Sequence, residues 1–222
     1  MPERAELPLR RLTLFRVGCL VLLGVLAAPR ARAEGAAATS ASAPIERLHA
    51  ALLDVMKHAA SLGYEGRAQR LAPVVAAVYD IPTMARIAVG KYWKDLSPDD
   101  QHRLTDAFAR FTVANYAGRF DGYSGERFEM LGEEDAPQGL RLVRTQLVPS
   151  EGDVVRLDYR LRPTPDGWRI VDVFLNGTVS ELALRRAQYT AVIEREGFPA
   201  LLEALDKKIA DLASGKEKGP PS

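Results

Sequence analysis

Asp172 is the one acid inside a strongly apolar stretch, flanked by Val171 and Val173, and it is the residue best placed to do chemistry. Desolvation raises the pKa of a buried carboxylate, which makes it a candidate general base of the isomerase type. Tyr159 is the phenol that could complete such a pair. The same position also fits a partly exposed structural pair, with Asp172 facing Arg160 or Arg156 across a strand ladder. The three histidines, His49, His58 and His102, fall on helical stretches and on different faces. None is spaced as a metal pair at i and i+4, and all three read as partly exposed helix histidines. There is no Gly-x-Ser-x-Gly, no phosphate-cradling glycine loop, and the single cysteine, Cys19, lies near the N-terminus. The sequence carries no cofactor or metal signature. Arg141, Arg144, Arg156, Arg160, Arg162 and Arg169 crowd one region. They make either a solvated sheet face or a docking surface for a partner or anionic headgroups. Asn176-Gly177-Thr178 matches a glycosylation sequon but is first a turn.

The elements that position these residues follow from periodicity. Ile45, Leu48, Leu52, Val55, Ala59 and Leu62 recur at three- and four-residue steps, predicting a helix from Pro44 that Gly63 ends. A second helix covers Arg67 to Val78, weakened or bent by Pro73, and a third runs from Pro82 to Val89, stopping at Gly90. Ser97-Pro98-Asp99-Asp100 is a strong helix start, with Ser97 as the cap. That helix continues to about Phe120 and buries Leu104, Phe108, Phe111 and Asn115, with Tyr116 and Phe120 on an adjoining stripe. Residues 126–132, 139–149, 153–163 and 167–176 then read as four strands with short links, which demands an antiparallel meander. In the third, Val155, Leu157, Tyr159 and Leu161 point one way and Arg156, Asp158, Arg160 and Arg162 the other. The fourth is apolar on both faces, with Val171, Val173 and Leu175 on one and Trp168, Ile170 and Phe174 on the other. Ser180 caps a helix to about Glu196, Gly197 breaks it, and Pro199 starts the last one. The expected fold class is α+β, with helices packed on one side of a four-stranded antiparallel meander.

The N-terminus reads as an export signal. Arg10, Arg11 and Arg16 precede an apolar run from Val17 to Ala28, and Ala31-Arg32-Ala33 supplies a small-x-small cleavage pattern. Twelve apolar residues rise only ~18 Å as a helix, short of a ~30 Å bilayer core. Val17-Gly18-Cys19 is not a lipobox, because Cys19 precedes most of the apolar run, and Leu12-Thr13-Leu14 is a poor continuation for a twin-arginine signal. Residues 1–33 carry six of the 30 basic and two of the 29 acidic side chains, leaving 24 basic against 27 acidic. That balance argues against a nucleic-acid binder. An exported chain without cysteine relies on its core instead of disulfides. The expected organisation is a signal at 1–33, a spacer at 34–43, one domain at 44–213 and a loose tail at 214–222.

A strand apolar on both faces implies cover on both, or a helix layer standing off to leave a cavity, and periodicity does not separate the two. A resemblance bears on the choice. The stretch Tyr79-Asp80-Ile81-Pro82-Thr83-Met84-Ala85-Arg86-Ile87-Ala88-Val89-Gly90-Lys91-Tyr92-Trp93 resembles the signature of the periplasmic lipid-carrier family called toluene-tolerance or MlaC-like. The register continues through Ser97-Pro98, Gln101, Phe108, Tyr116 and Tyr123, then Trp168-Arg169-Ile170-Val171-Asp172-Val173 and Gly177-Thr178-Val179-Ser180. The segment from Ser180 to Tyr189 departs from the usual pattern, in which an Asn-Tyr-Arg element follows the serine. It looks more like the hopanoid-associated branch, HpnM, so the cargo lies between a glycerophospholipid and a hopanoid-like polycyclic lipid.

The resemblance implies a non-enzymatic carrier on an NTF2-like cone, holding the lipid's apolar part in a cavity between sheet and helices. It also implies exchange with an inner-membrane ABC transporter complex and an outer-membrane lipoprotein complex, with transient contact at the membrane surface. The two other functions open to this sequence are a small-molecule enzyme using Asp172 and Tyr159, and a cargo-free periplasmic interaction protein. For the carrier, a five-residue hairpin loop from Pro163 to Gly167 would set Tyr159 opposite Val171, Leu157 opposite Val173 and Val155 opposite Leu175. Those six residues, with Val143, Tyr116 and Phe120, are the expected lining, and Trp168, Ile170 and Phe174 would pack an opposite, structural layer.

Overall fold

Ser97 and Ser180 each open a helix by accepting a backbone N–H three residues on, from Asp100 at 3.1 Å and from Ala183 at 2.9 Å. The computed structural model describes residues 40–216, so the expected signal at 1–33, most of the spacer, and residues 217–222 of the tail lie outside it. Six helices and five strands follow in the order α1 (Ser42–Lys57), α2 (Ala59–Val78), α3 (Ile81–Val89), α4 (Pro98–Arg119), β1 (Arg127–Ala136), β2 (Leu140–Val148), β3 (Val155–Thr164), β4 (Gly167–Leu175), β5 (Val179–Ser180), α5 (Glu181–Glu196) and α6 (Phe198–Ala213). Short 3₁₀ turns lie at Gly90–Asp95 and Pro137–Gly139.

The first helical run breaks earlier than its pattern suggests. His58, with φ −109° and ψ 16°, separates α1 from α2, and Gly63, at φ 59° and ψ −174°, breaks the helical geometry inside α2 as expected of it. Gly90 does end α3. It sits at φ 55°, and a Cβ there would come within 3.0 Å of the Arg186 guanidinium, so both backbone and space call for glycine. The Tyr79-Asp80 corner is a structural joint. Asp80 accepts from Thr83 N–H, pairs with Arg162 at 2.8 Å, and donates its own N–H to the Ile170 carbonyl at 2.9 Å. It thereby fastens the α2–α3 bend to β4.

The sheet is antiparallel in the order β1-β2-β3-β4-β5. The expected four strands become five because Val179 and Ser180 fold back through the Asn176-Gly177 turn and pair with Leu175 and Phe174. β1 also runs to Ala136, past the turn expected at Gly132, after a bulge between Met130 and Gly132. The β3–β4 ladder differs from the expected register in an instructive way. Tyr159 opposes Val173 and Leu157 opposes Leu175, while Arg160 opposes Asp172 and Leu161 opposes Ile170. Val171 is therefore an extra residue, a β-bulge that reverses the in–out alternation beyond it. Ile170 and Trp168 consequently share a face with Val173 and Leu175, and only Phe174 lies on the other. The two-sided apolar pattern of β4 is one apolar face interrupted by a bulge.

That face meets the helices. Val143, Tyr159, Leu161 and Ile170 join Ile45, Leu48, Leu71, Leu104, Phe108, Leu182 and Leu201 in one core, all nearly sealed from solvent. Each fully buried Leu, Ile or Phe there contributes ~1.5–3 kcal/mol relative to exposure. The opposite face carries Arg144, Arg156, Arg160, Arg162 and Arg169, whereas Arg141 opposes Leu161 and so shares the core face at its edge. Arg141 meets Asp135, Arg144 meets Glu134, Arg156 meets Asp158, and Arg160 meets both Asp172 and the Phe174 ring. Arg162 is bound by Asp80, and Arg169 donates to the Ala76 and Ala77 carbonyls.

Candidate functional site: a cavity between α4 and the sheet

Helix α4 sets Phe108, Phe111, Thr112, Asn115, Tyr116 and Arg119 on one stripe, at the three- and four-residue steps that align side chains along a helix. Facing them are Val155, Leu157 and Tyr159 of β3 and Val173 and Leu175 of β4, with Leu147 of β2 beside them. Between the two walls lies a cavity of about 610 Å³. Its rim is formed by residues 121–126 after α4, by Pro149 and Val155 flanking the β2–β3 loop, and by Asn176. The first two rim segments lie close together, since a Cβ on Gly125 would lie 3.6 Å from the Ser150 side chain.

A chain of six aromatic rings braces the space. Tyr79 neighbours Tyr116, Tyr116 neighbours Phe120, Phe120 neighbours Phe128, Phe128 stacks on His49 at 3.9 Å, and His49 leans on Tyr159. Two polar contacts reinforce it: the Tyr79 and Tyr116 hydroxyls bond each other, and His49 Nε2 lies 3.1 Å from the Tyr159 hydroxyl. Burial keeps all four groups neutral. It pushes the Tyr79 and Tyr159 phenols well above the ordinary tyrosine range, Tyr116 up to about 12, and the His49 imidazole down to about 3. These four groups thus present rings and hydroxyls, none of them poised to gain or lose a proton near neutral pH.

Of the nine residues expected on the wall, the structure brings seven to the cavity: Tyr116, Phe120, Val155, Leu157, Tyr159, Val173 and Leu175. Val143 does not reach it. It opposes Tyr159 on β2 and is wholly buried in the core. Val171 does not reach it either, because the bulge removes it from the alternation. Met56, Tyr79, Arg119 and Arg185 also line the cavity without being expected there, and Phe111 joins them from the buried stripe of α4. Arg185 lies 4.4 Å above the Phe111 ring and 3.4 Å from Glu181.

Asp172 and Tyr159 do not form a pair. Tyr159 points to the cavity with Val173, whereas Asp172 sits at the neighbouring position opposite Arg160. Asp172 is only 4 % exposed, more enclosed than the structural pair expected, and its oxygens accept from the Ser180 hydroxyl at 2.7 Å and from the Leu182 N–H at 3.1 Å. It is a clasp holding the start of α5 against β4. The histidines also divide. His58 and His102 are exposed partners of Asp54 and Asp106, but His49 is 5 % exposed and belongs to the aromatic brace. Its position four residues after Ile45, on the apolar stripe of α1, was the available signal.

The solved structures include one of the same fold: a phospholipid-binding protein from Ralstonia solanacearum, in complex with a phospholipid. It is 24 % identical, with a TM-score of 0.68, over 78 % of this chain and 98 % of that one. No curated protein sequence gives a significant match. The family model described as MlaC protein matches residues 46–207, which span the helices and strands that build the cavity. This chain belongs to the MlaC family.

Proposed function

We propose that this protein is a periplasmic carrier that binds the apolar part of a lipid in the α4–sheet cavity and shuttles it between the inner and outer membranes. The observation that carries this reading is the cavity itself, a space of about 610 Å³ walled mainly by aromatic and aliphatic side chains, with Arg119 and Arg185 among the few charged groups on it. The phospholipid bound to the Ralstonia protein of the same fold supports it. So does the export signal read at residues 1–33, and among the described residues no helix is long and apolar enough to cross a membrane.

Transfer needs no chemistry. Each buried methylene is worth ~0.8 kcal/mol, so a tail of about fourteen carries roughly 11 kcal/mol of aversion to water. A wall of rings and aliphatic chains matches the membrane interior, and handover between two apolar environments is then nearly neutral. In this reading sheet and helices close around the tail as an NTF2-like cone. The seven wall residues, Tyr116, Phe120, Val155, Leu157, Tyr159, Val173 and Leu175, contact the cargo. The inner-membrane ABC transporter complex and the outer-membrane lipoprotein complex are the exchange partners. The cargo is a glycerophospholipid or a hopanoid-like lipid.

The test is direct. Protein purified from the periplasm is extracted with organic solvent and the extract analysed by mass spectrometry. One lipid per chain is expected, and N-terminal sequencing should begin at Glu34. A protein that yields no lipid from any preparation overturns the carrier reading.

A further inference from the structure

We propose that Arg119 is the anchor for the phosphate of the bound lipid, an inference that rests on the carrier reading and adds a polar specificity to an apolar cavity. Arg119 is the last residue of α4 and is half-buried on the cavity wall. Its Nε is enclosed and has no hydrogen-bond partner, and its guanidinium makes no ion pair among the described residues. The other arginine on this wall is already occupied, since Arg185 spends its charge on Glu181 and the Phe111 ring. A desolvated donor left unmade is unfavourable, and a planar guanidinium with vacant donors matches a phosphate bidentately. The negative end of the α4 dipole favours a cation at this position, which keeps the group at the wall without consuming its donors.

The order of residues along the wall fits one end of a phospholipid. Tyr116 and the aromatic brace lie one turn deeper, Arg119 follows, and Asp121 and Glu126 stand beyond it on the rim. Glu126 is engaged by the Ser124 N–H at 2.6 Å. A tail laid along Phe111, Asn115 and Tyr116 therefore reaches its headgroup junction at Arg119, with carboxylates further out to meet an ammonium group. A neutral polycyclic lipid or a diacylglycerol fills the same apolar space but gains nothing from Arg119.

The test holds the tails constant. Delipidated protein without its signal is loaded from detergent micelles containing equal amounts of phosphatidylethanolamine and diacylglycerol with identical acyl chains, and the bound ratio is read by mass spectrometry. The wild type should favour phosphatidylethanolamine by about tenfold or more, the effect of one charge-assisted contact. Arg119→Gln should collapse the ratio toward one while total lipid per chain stays unchanged, and Arg119→Lys should retain part of the preference. Should Arg119→Gln fail to fold, the lysine variant carries the test by the same ratio. A wild-type ratio near one, or an unchanged ratio in a folded variant, overturns the assignment while leaving the carrier reading intact. A wild type that shows no lipid preference but binds inorganic phosphate, with that binding lost in a folded Arg119→Gln, assigns the site to free phosphate and overturns the headgroup anchor. Loading of neither lipid overturns the carrier reading together with the anchor.

Discussion

His49 Nε2 and the Tyr159 hydroxyl meet 3.1 Å apart behind the cavity wall, with Phe128 stacked on the imidazole's face. The burial of His49 makes the fold acid-sensitive. The His49 pKa, lowered by burial from 6.5 to about 3, means that the unfolded chain binds a proton the folded chain refuses across that window. Its contribution to stability is fully present above pH 6.5 and is lost as pH falls toward 3. At pH 4.5 the loss is on the order of 2–3 kcal/mol. Thermal unfolding followed from pH 7.5 to 4 should show a steeper fall for the wild type than for His49→Gln, which retains a hydrogen-bonding group but does not titrate. Parallel curves would rule His49 out as the source.

At the alkaline end the sign reverses. Burial raises the Tyr116 and Tyr189 pKa values to about 12, and those of Tyr79 and Tyr159 well above the ordinary value. Stability from these phenols is present below about pH 10 and lost as pH rises through their folded values. Absorbance at the phenolate band should therefore leave these tyrosines un-ionised until the far-ultraviolet dichroism collapses. Smooth ionisation of all seven tyrosines at pH 10 in a folded protein would contradict their burial.

Enlarging a wall residue and enlarging a core residue should have opposite effects. Val173 borders open space, whereas Ile170 is wholly buried against helices. Val173→Trp is expected to keep the thermal transition within a few degrees and to abolish co-purified lipid. Ile170→Trp overpacks the core and should cost ~1–3 kcal/mol or more in denaturant titration. Equal destabilisation by both would mean that the cavity closes in solution.

The Asp172 clasp supplies a fourth test. Asp172→Ala leaves the Leu182 N–H and the Ser180 hydroxyl without their acceptor, and the expected loss is on the order of 3 kcal/mol in urea unfolding. Hydrogen exchange should rise first at the start of α5. A stability change under 0.5 kcal/mol would show that the clasp is replaceable by water.

Much of this architecture is legible in the chain because caps and breakers act locally. Ser97, Ser180, Gly90 and Gly197 mark helix ends by side-chain and backbone preferences that need no tertiary partner. The bulge is different. Nothing in Trp168-Arg169-Ile170-Val171-Asp172-Val173 announces which residue is surplus, since the choice is made by what β3 and the helices offer opposite. That single ambiguity moves Val171 off the wall and puts Ile170 on the same side as Val173. Arg119 and Arg185 were illegible for a related reason. A basic residue near the end of a helix normally points to water, and only the packing of α4 and α5 around the cavity brings these two to its wall.

The surplus residue at Val171 has a consequence for descent and design. It lets one strand belong to two neighbourhoods: Ile170 is fixed by close packing, while three residues later Val173 borders space that no protein atom fills. On the carrier reading, mutations at Leu157, Val173 and Leu175 should reshape what the protein carries at less cost to folding than mutations at Ile170. A lineage with this division can exchange one lipid for another by small steps, each still yielding a stable protein, and an engineer can follow the same path.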